Sequence, residues 1–120
     1  RSMVKVYDKA FKDIPNITPL QAHGRDNSSH HIYVVSIDFD KAGVTRHQFM
    51  EKLAEQGVGS QVHYIPVVSQ PYYQELGYKI QQYSITDTYY QSTLSIPLYY
   101  GLSDVDQRLV ISSIRKLLGK

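Results

Sequence analysis

Residues 60 to 73, SQVHYIPVVSQPYY, place a dense group of hydrogen-bonding side chains in one short stretch. If residues 58 to 64 run as a strand, side chains alternate between faces. Ser60, Val62 and Tyr64 then share one face, and Gln61 and His63 share the other. With Pro66, Gln70, Tyr72 and Tyr73 close behind, the group could line a sugar or nucleotide pocket, where a few fixed polar groups orient a ligand. The plainer alternative has Gln61 and His63 facing solvent on an open sheet.

Other chemistries find less support. The seven glycines are dispersed, and Gly57-Val58-Gly59 lies between a helix and a strand, so no phosphate-cradling loop opens a helix. No serine sits in the strand-turn-helix elbow of a Ser-His-Asp hydrolase. His30 and His31 are adjacent on a strand entrance and point to opposite faces, which argues against one ion bound by both together with His63. No catalytic residue and no metal ligand is therefore assigned. Asp38 and Asp40 at a strand end, like Asp104 and Asp106 in a helix first turn, are explained by local structure.

The elements that would carry the Gln-His-Tyr stretch can be read from periodicity. Met3, Tyr7, Ala10, Phe11 and Ile14 follow helical spacing over 3 to 14, with Pro15 as the stop and Pro19 holding the next stretch extended. Gly24 to Ser29 reads as a turn. HIYVVSIDF, 31 to 39, is a strand whose Tyr33, Val35, Ile37 and Phe39 form the more apolar face. Thr45 and Gln48 have the spacing of a capping box for a helix over 46 to 56, buried through Phe49, Met50, Leu53 and Ala54 and stopped by Gly57.

A strand at 58 to 64 is expected next, then a helical turn from Tyr72 to Leu76. A helix capped by Thr86 or Asp87 is expected through Leu94, and Ser95 to Pro97 is extended. Ser103 with Asp106 opens a last helix through Leu118, buried along Leu109, Val110, Ile114, Leu117 and Leu118. The order predicts an α+β domain: a small antiparallel or mixed sheet with helices on one face.

At 120 residues the chain has material for one core. No apolar run approaches the ~20 residues that span a bilayer. There are no cysteines, which fits a cytoplasmic protein and excludes disulfides and thiolate chemistry. Thirteen basic residues are scattered among eleven acidic ones, so no stripe exists to neutralise a nucleic-acid backbone. The strands also lack the aromatic-glycine pattern of RNA-reading sheets. Neither nucleic acid nor membrane is an expected partner. Eleven tyrosines against three phenylalanines point instead to an interface or a cleft, since tyrosine buries a ring while keeping a polar tip. A stand-alone Tyr-rich binding or oligomerisation module is the alternative this composition leaves open.

Four stretches in order resemble the C-terminal domain of the DegT/DnrJ/StrS sugar aminotransferases, fold type I pyridoxal-phosphate enzymes. They are SSHHIYVVSID, QVHYIPV after the helix-ending Gly57-Val58, SQPYYQELGY, and LSIPLYYGLSDVDQRLV. RSMVKVYDKAF looks like the end of the helix joining the two domains of such enzymes. The resemblance implies a single small domain over 1–120, with 1–14 the end of the interdomain helix and 30–120 the small domain proper. It also implies a fragment of a parent whose large domain holds the Schiff-base lysine and the coenzyme. Within the family, the QVHYIPVVSQPYY stretch is most like the UDP-4-keto-sugar transaminases of pseudaminic acid biosynthesis.

The implied parent moves an amino group from glutamate to a nucleotide-linked 4-keto sugar and is a homodimer. This chain alone would be inactive and bind no pyridoxal phosphate. Gln61, Val62, His63 and Tyr64 match the segment that lines the sugar-nucleotide site, with a role in orienting the ligand. Val68 stands where some relatives have a second histidine, so no role transfers there, and Tyr99-Tyr100 replaces a more common Tyr-Pro. The Leu-Ser-Ile-Pro-Leu run is assigned to packing and turn geometry. If a large domain once covered this one, Tyr7, Phe11 and part of the tyrosine set should lie on an exposed apolar surface that drives self-association.

Overall fold

The computed structural model describes residues 1–20 and 25–119. The turn expected at Gly24 to Ser29 begins outside the described residues, and its described part holds a 3₁₀ turn at Arg25–Asn27. The fold is α+β, as the sequence predicts, and its sheet is wholly antiparallel. Strands β1 (Ile17–Pro19), β2 (Tyr33–Ile37) and β3 (Thr93–Ile96) lie in the order β1-β2-β3. Ile17 pairs with Ile37, Val35 with Leu94, and Tyr33 with Ile96.

That register puts Ile17, Tyr33, Val35, Ile37, Leu94 and Ile96 on one face, and all six are buried. Helices α1 (Ser2–Phe11), α3 (Arg46–Glu55) and α6 (Asp104–Leu117) supply the opposing residues, including Tyr7, Phe11, Phe49, Leu53, Val110 and Ile114. The other face carries Thr18, Val34, Ser36, Thr93 and Ser95, mostly small and polar. The alternation read in residues 33 to 37 is therefore the sidedness of the sheet.

Local signals explain several boundaries. The Thr45 hydroxyl accepts from the Gln48 amide at 3.1 Å, and the Gln48 side-chain oxygen accepts from the Thr45 amide at 3.0 Å. This is the reciprocal capping box. At α6 only half of the box forms. Ser103 Oγ accepts from the Asp106 amide at 3.0 Å, while the Asp106 carboxylate takes the Ser103 hydroxyl proton at 2.6 Å. Asp38 caps a short helix α2 (Phe39–Ala42) that periodicity did not reveal, and Gly43 ends it at φ 69°.

Five expectations are corrected. The first helix stops at Phe11, because Pro15 disfavours helical backbone at Ile14, and the chain turns through Asn16 at φ 68°. Residues 58 to 64 form no strand beyond a single bridge between Gln61 and Ser95. Continuing that antiparallel ladder would pair Gly59 with Pro97, which has no N–H to give. The helix expected from a Thr86 or Asp87 cap through Leu94 is α5 (Ser84–Ser92), which begins after Tyr83 with no side-chain cap bond; Leu94 leaves it to pair with Val35 in the core. Leu109 and Ala54 are exposed, not buried.

The fifth correction matters most. Tyr7 and Phe11, expected on an open surface, are both 0% exposed. Their rings stack at 5.8 Å, Tyr7 lies 4.8 Å from Tyr33, and the Tyr7 hydroxyl donates to the Pro97 carbonyl at 2.8 Å. Their neighbours are β2 and α6 of this same chain, so no other domain is needed to cover them. The expected exposed tyrosines are elsewhere. Between Val67 and Ser92 no residue is buried. This arm comprises a 3₁₀ turn at Val67–Ser69, helix α4 (Pro71–Glu75), a second 3₁₀ turn at Ile80–Gln82, and α5. The molecule measures 47 × 35 × 24 Å with a radius of gyration of 15.4 Å. A compact chain of this length has roughly 13.6 Å.

Candidate functional site

The Gln-His-Tyr stretch sits where the packed body meets the arm, and its four residues are held in different ways. Gln61 is fixed by its backbone: its amide donates to the Ser95 carbonyl at 3.0 Å, and its carbonyl accepts from the Ser95 amide at 2.8 Å. Its side chain is exposed. Val62 is half-buried and packs on the hydrophobic core. His63 is half-buried, with Nδ1 2.7 Å from the Ser95 hydroxyl. Tyr64 is 75% exposed, joined to His63 by a cis peptide bond, and its ring stands edge-on to the imidazole at 4.6 Å.

Beyond Tyr64, Pro66 is buried and the chain enters the arm. Tyr72, Tyr73 and Tyr78 make successive edge-to-face contacts at 5.3 and 6.1 Å, an arrangement that aromatic quadrupoles favour. Although no strand forms here, Gln61 pairs directly with Ser95 and His63 bonds the Ser95 hydroxyl, so the two share a face as expected, with Val62 turned to the core. What the structure assembles is a rigid backbone anchor at 61, an apolar anchor at 62, an oriented imidazole at 63 and an open phenol at 64. Such a set can present donors and acceptors to a ligand. Its one hydroxyl–imidazole pair, Ser95 with His63 at 2.7 Å, has the serine only 6% exposed, too buried to attack a bound substrate.

Sequence reasoning missed Ser95. It stands on β3 between the core residues Leu94 and Ile96 and points to the opposite face, where His63 lies. The signal was present: a buried hydroxyl set between two core residues of a strand must find a partner on its own side of the sheet.

A second polar cluster also escaped the sequence. Arg25 grips Asp8 with two parallel bonds, at 3.1 and 2.7 Å, and the Tyr33 hydroxyl donates to the same carboxylate at 2.6 Å. Burial, then the bond to Asp8, raises the Tyr33 hydroxyl well above the ordinary phenol range. Burial does the same for Tyr7. This cluster ties α1 to β2.

A cleft of about 730 Å³ lies between α5 and the β2–α3 region, lined by Ser36, Asp38, Arg46, Asp87 and Gln91 among others. None of residues 61 to 64 borders it. Arg46 donates to the Tyr90 carbonyl and stacks over the Tyr90 ring at 4.6 Å, so its charge is already engaged. Size alone does not make this cleft the site; the oriented His63 and Tyr64 lie elsewhere.

Pyridoxal phosphate requires a lysine whose amine is desolvated enough to act as a nucleophile. All seven described lysines are exposed, and Lys41 is paired with Asp38 at 3.0 Å. The described residues therefore do not fit the coenzyme. Among them, too, no group of three histidines or carboxylates could hold a metal ion, and no helix is long and apolar enough to cross a membrane.

Known proteins resemble this chain in sequence and fold. SpsC of Bacillus subtilis, a spore coat polysaccharide biosynthesis protein, is 39% identical over 114 residues, covering 93% of this chain and 29% of its own length. The UDP-4-amino-4,6-dideoxy-N-acetyl-β-L-altrosamine transaminase of Helicobacter pylori is 29% identical over 110 residues, 92% of this chain and 29% of its own. Two solved structures superpose on nearly the whole fold, each covering 98% of this chain. One is the sugar aminotransferase Spr1654 of Streptococcus pneumoniae in its PLP form, with TM-score 0.85, 26% identity and 30% of its chain covered. The other is Helicobacter pylori PseC, an aminotransferase involved in the biosynthesis of pseudoaminic acid, with TM-score 0.84, 28% identity and 31% covered.

This chain thus spans about three-tenths of the length of the relatives it matches. The model of the DegT/DnrJ/EryC1/StrS aminotransferase family matches residues 1–115, and the chain belongs to that family.

Proposed function

We propose that this chain is the substrate-contacting small domain of a pyridoxal-phosphate-dependent aminotransferase that transfers an amino group from glutamate to a UDP-linked 4-keto sugar. The observation that carries the reading is the rigid presentation of His63 and Tyr64 within a chain whose family match runs from residue 1 to 115. The transaminase named for a UDP-4-amino sugar and the link of PseC to pseudoaminic acid support the finer choice of substrate. The PLP form of Spr1654 supports the coenzyme.

In this reading Gln61, Val62, His63 and Tyr64 bind and orient the nucleotide sugar. Gln61 and Val62 fix the backbone, the His63 ring offers a directed hydrogen bond, and the Tyr64 phenol closes over the ligand from the open side. Coenzyme chemistry belongs to residues outside this set, α1 continues toward them as the interdomain helix, and the enzyme works as a cytoplasmic homodimer. The exposed rings of the arm are the surface such an assembly would cover.

His63→Ala in the intact protein tests the assignment. Loss of one directed hydrogen bond should weaken UDP-sugar binding about tenfold. The glutamate half-reaction, measured by coenzyme absorbance in a single turnover, should stay within about twofold of the parent. Equal losses in both half-reactions would remove the substrate-contact role.

A further inference from the structure

Ser95 belongs to the Leu-Ser-Ile-Pro-Leu run that the sequence assigns to packing and turn geometry. Its neighbours justify that for Leu94 and Ile96, which are 0% and 4% exposed on the core face. Ser95 itself faces the other way and is still only 6% exposed. It meets the Gln61–Tyr64 segment three times. Two contacts are the paired backbone bonds with Gln61, and the third is the 2.7 Å contact between its hydroxyl and His63 Nδ1.

The hydroxyl's proton decides what the imidazole can do. Among the described residues, His63 Nδ1 is the one hydrogen-bond partner of Ser95 Oγ. If Nδ1–H donated to the oxygen, the hydroxyl proton would be buried with nothing to accept it, which is unfavourable. If the hydroxyl donates to Nδ1, both groups are satisfied. A neutral imidazole has one proton, so it must then sit on Nε2.

We infer that Ser95 is a positioning residue which, by donating to Nδ1, locks neutral His63 as the Nε2–H tautomer and aims a hydrogen-bond donor at the ligand. The inference rests on the proposed role of residues 61 to 64 in ligand contact and narrows it. The ligand group facing His63 is an acceptor, a phosphate or carbonyl oxygen of the sugar nucleotide. The backbone bonds to Gln61 do not depend on the Ser95 side chain, so the tautomer can be altered without releasing the segment.

Nitrogen-15 NMR of the intact protein, labelled at histidine and observed at about pH 9, where free imidazole is neutral, reads the tautomer directly. His63→Gln identifies the resonances. The expected spectrum has a proton-free, pyridine-like Nδ1 and a protonated Nε2. Ser95→Ala should shift both nitrogens toward a mixture of tautomers and weaken UDP-N-acetylglucosamine binding about fivefold to tenfold. Ser95→Thr, which keeps the hydroxyl, should restore the parent spectrum.

An Nδ1–H tautomer in the parent would overturn the inference, as would a spectrum unmoved by Ser95→Ala. The broader reading fails separately: if UDP-N-acetylglucosamine leaves the His63 nitrogens unperturbed while the Ser95 effects appear as expected, the tautomer lock stands and the ligand role of His63 does not.

Discussion

The packed body and the arm both carry many aromatic and aliphatic side chains and behave as different materials. The body buries nineteen apolar residues, and the fully buried set includes Tyr7, Phe11, Phe49, Leu53, Leu94 and Ile114. The arm, from Val67 to Ser92, buries none, although it carries Tyr72, Tyr73, Leu76, Tyr78, Tyr83, Ile85 and Tyr89. Burial of apolar area at about 25 cal/mol per Å² therefore stabilises the body and contributes little to the arm. The arm holds its shape by local turns, chained tyrosine rings and the grip of Arg46 on Tyr90. Stability and surface chemistry are separated along the chain, and the candidate site sits at the seam. Its anchors, Gln61 and Val62, belong to the body, and Tyr64 points away from it.

The comparison breaks if equivalent truncations cost the same in both regions. Phe49 is fully buried and meets Phe39 edge-on at 5.7 Å, so Phe49→Ala should lower the unfolding free energy by about 3–5 kcal/mol. Ile85 is 86% exposed, and Ile85→Ala should change it by less than about 0.5 kcal/mol. Urea denaturation of the two variants at equal, low protein concentration gives both numbers. A loss above about 2 kcal/mol at Ile85 would show that the arm packs on something in solution.

The same division explains how much could be read from the sequence. The alternation of Tyr33, Val35 and Ile37, the Thr45–Gln48 capping box and the helix opened by Ser103 are local patterns, and each is found where expected. The strand at 58 to 64 and the helix through Leu94 are not, because both depended on pairing partners distant in sequence. Pro97 denies a donor to one, and Val35 recruits Leu94 from the other. The position of Tyr7 and Phe11 turned on whether α1 would find cover within its own chain. It does, with Gln107 donating to the Met3 carbonyl at 2.8 Å and Arg115 to the Ala10 carbonyl at 3.0 Å. Of the candidate site, residue types were legible. The bond that orients His63 was not, since Ser95 lies 32 residues away in sequence.

A smaller effect probes the body's polar interior. Tyr7 and Tyr33 have hydroxyls raised above the ordinary phenol range, chiefly by burial. In the unfolded chain tyrosine ionises near pH ~10. Below that pH the folded and unfolded hydroxyls are both protonated, and the stabilisation is present in full. As pH climbs above it, the unfolded chain loses protons that the folded chain retains, and stability falls. Urea midpoints should decline from about pH 9 to about pH 11 in the parent. The decline should be shallower in the Tyr7→Phe/Tyr33→Phe variant, whatever its stability at neutral pH. Tyr72→Phe, at an exposed ring of the arm, is the control and should keep the parent's slope. Equal slopes in all three would mean the buried hydroxyls are hydrated after all.

The finest test concerns one atom. Of the buried polar residues in the body, Gln107 donates to the Met3 carbonyl, Thr93 to the Tyr89 carbonyl, and Ser95 meets His63, but the Ser113 hydroxyl, on α6, has no partner among the described residues. A buried hydroxyl without a partner keeps its desolvation cost. Alanine at the same helical position removes that cost and has the better helix propensity. The small void left by the oxygen offsets part of the gain. Ser113→Ala should therefore stabilise the protein by about 0.5–1 kcal/mol in urea denaturation. Destabilisation would have a specific meaning: Ser113 would have a partner in solution, and the body would not be the self-contained half that its apolar core makes it.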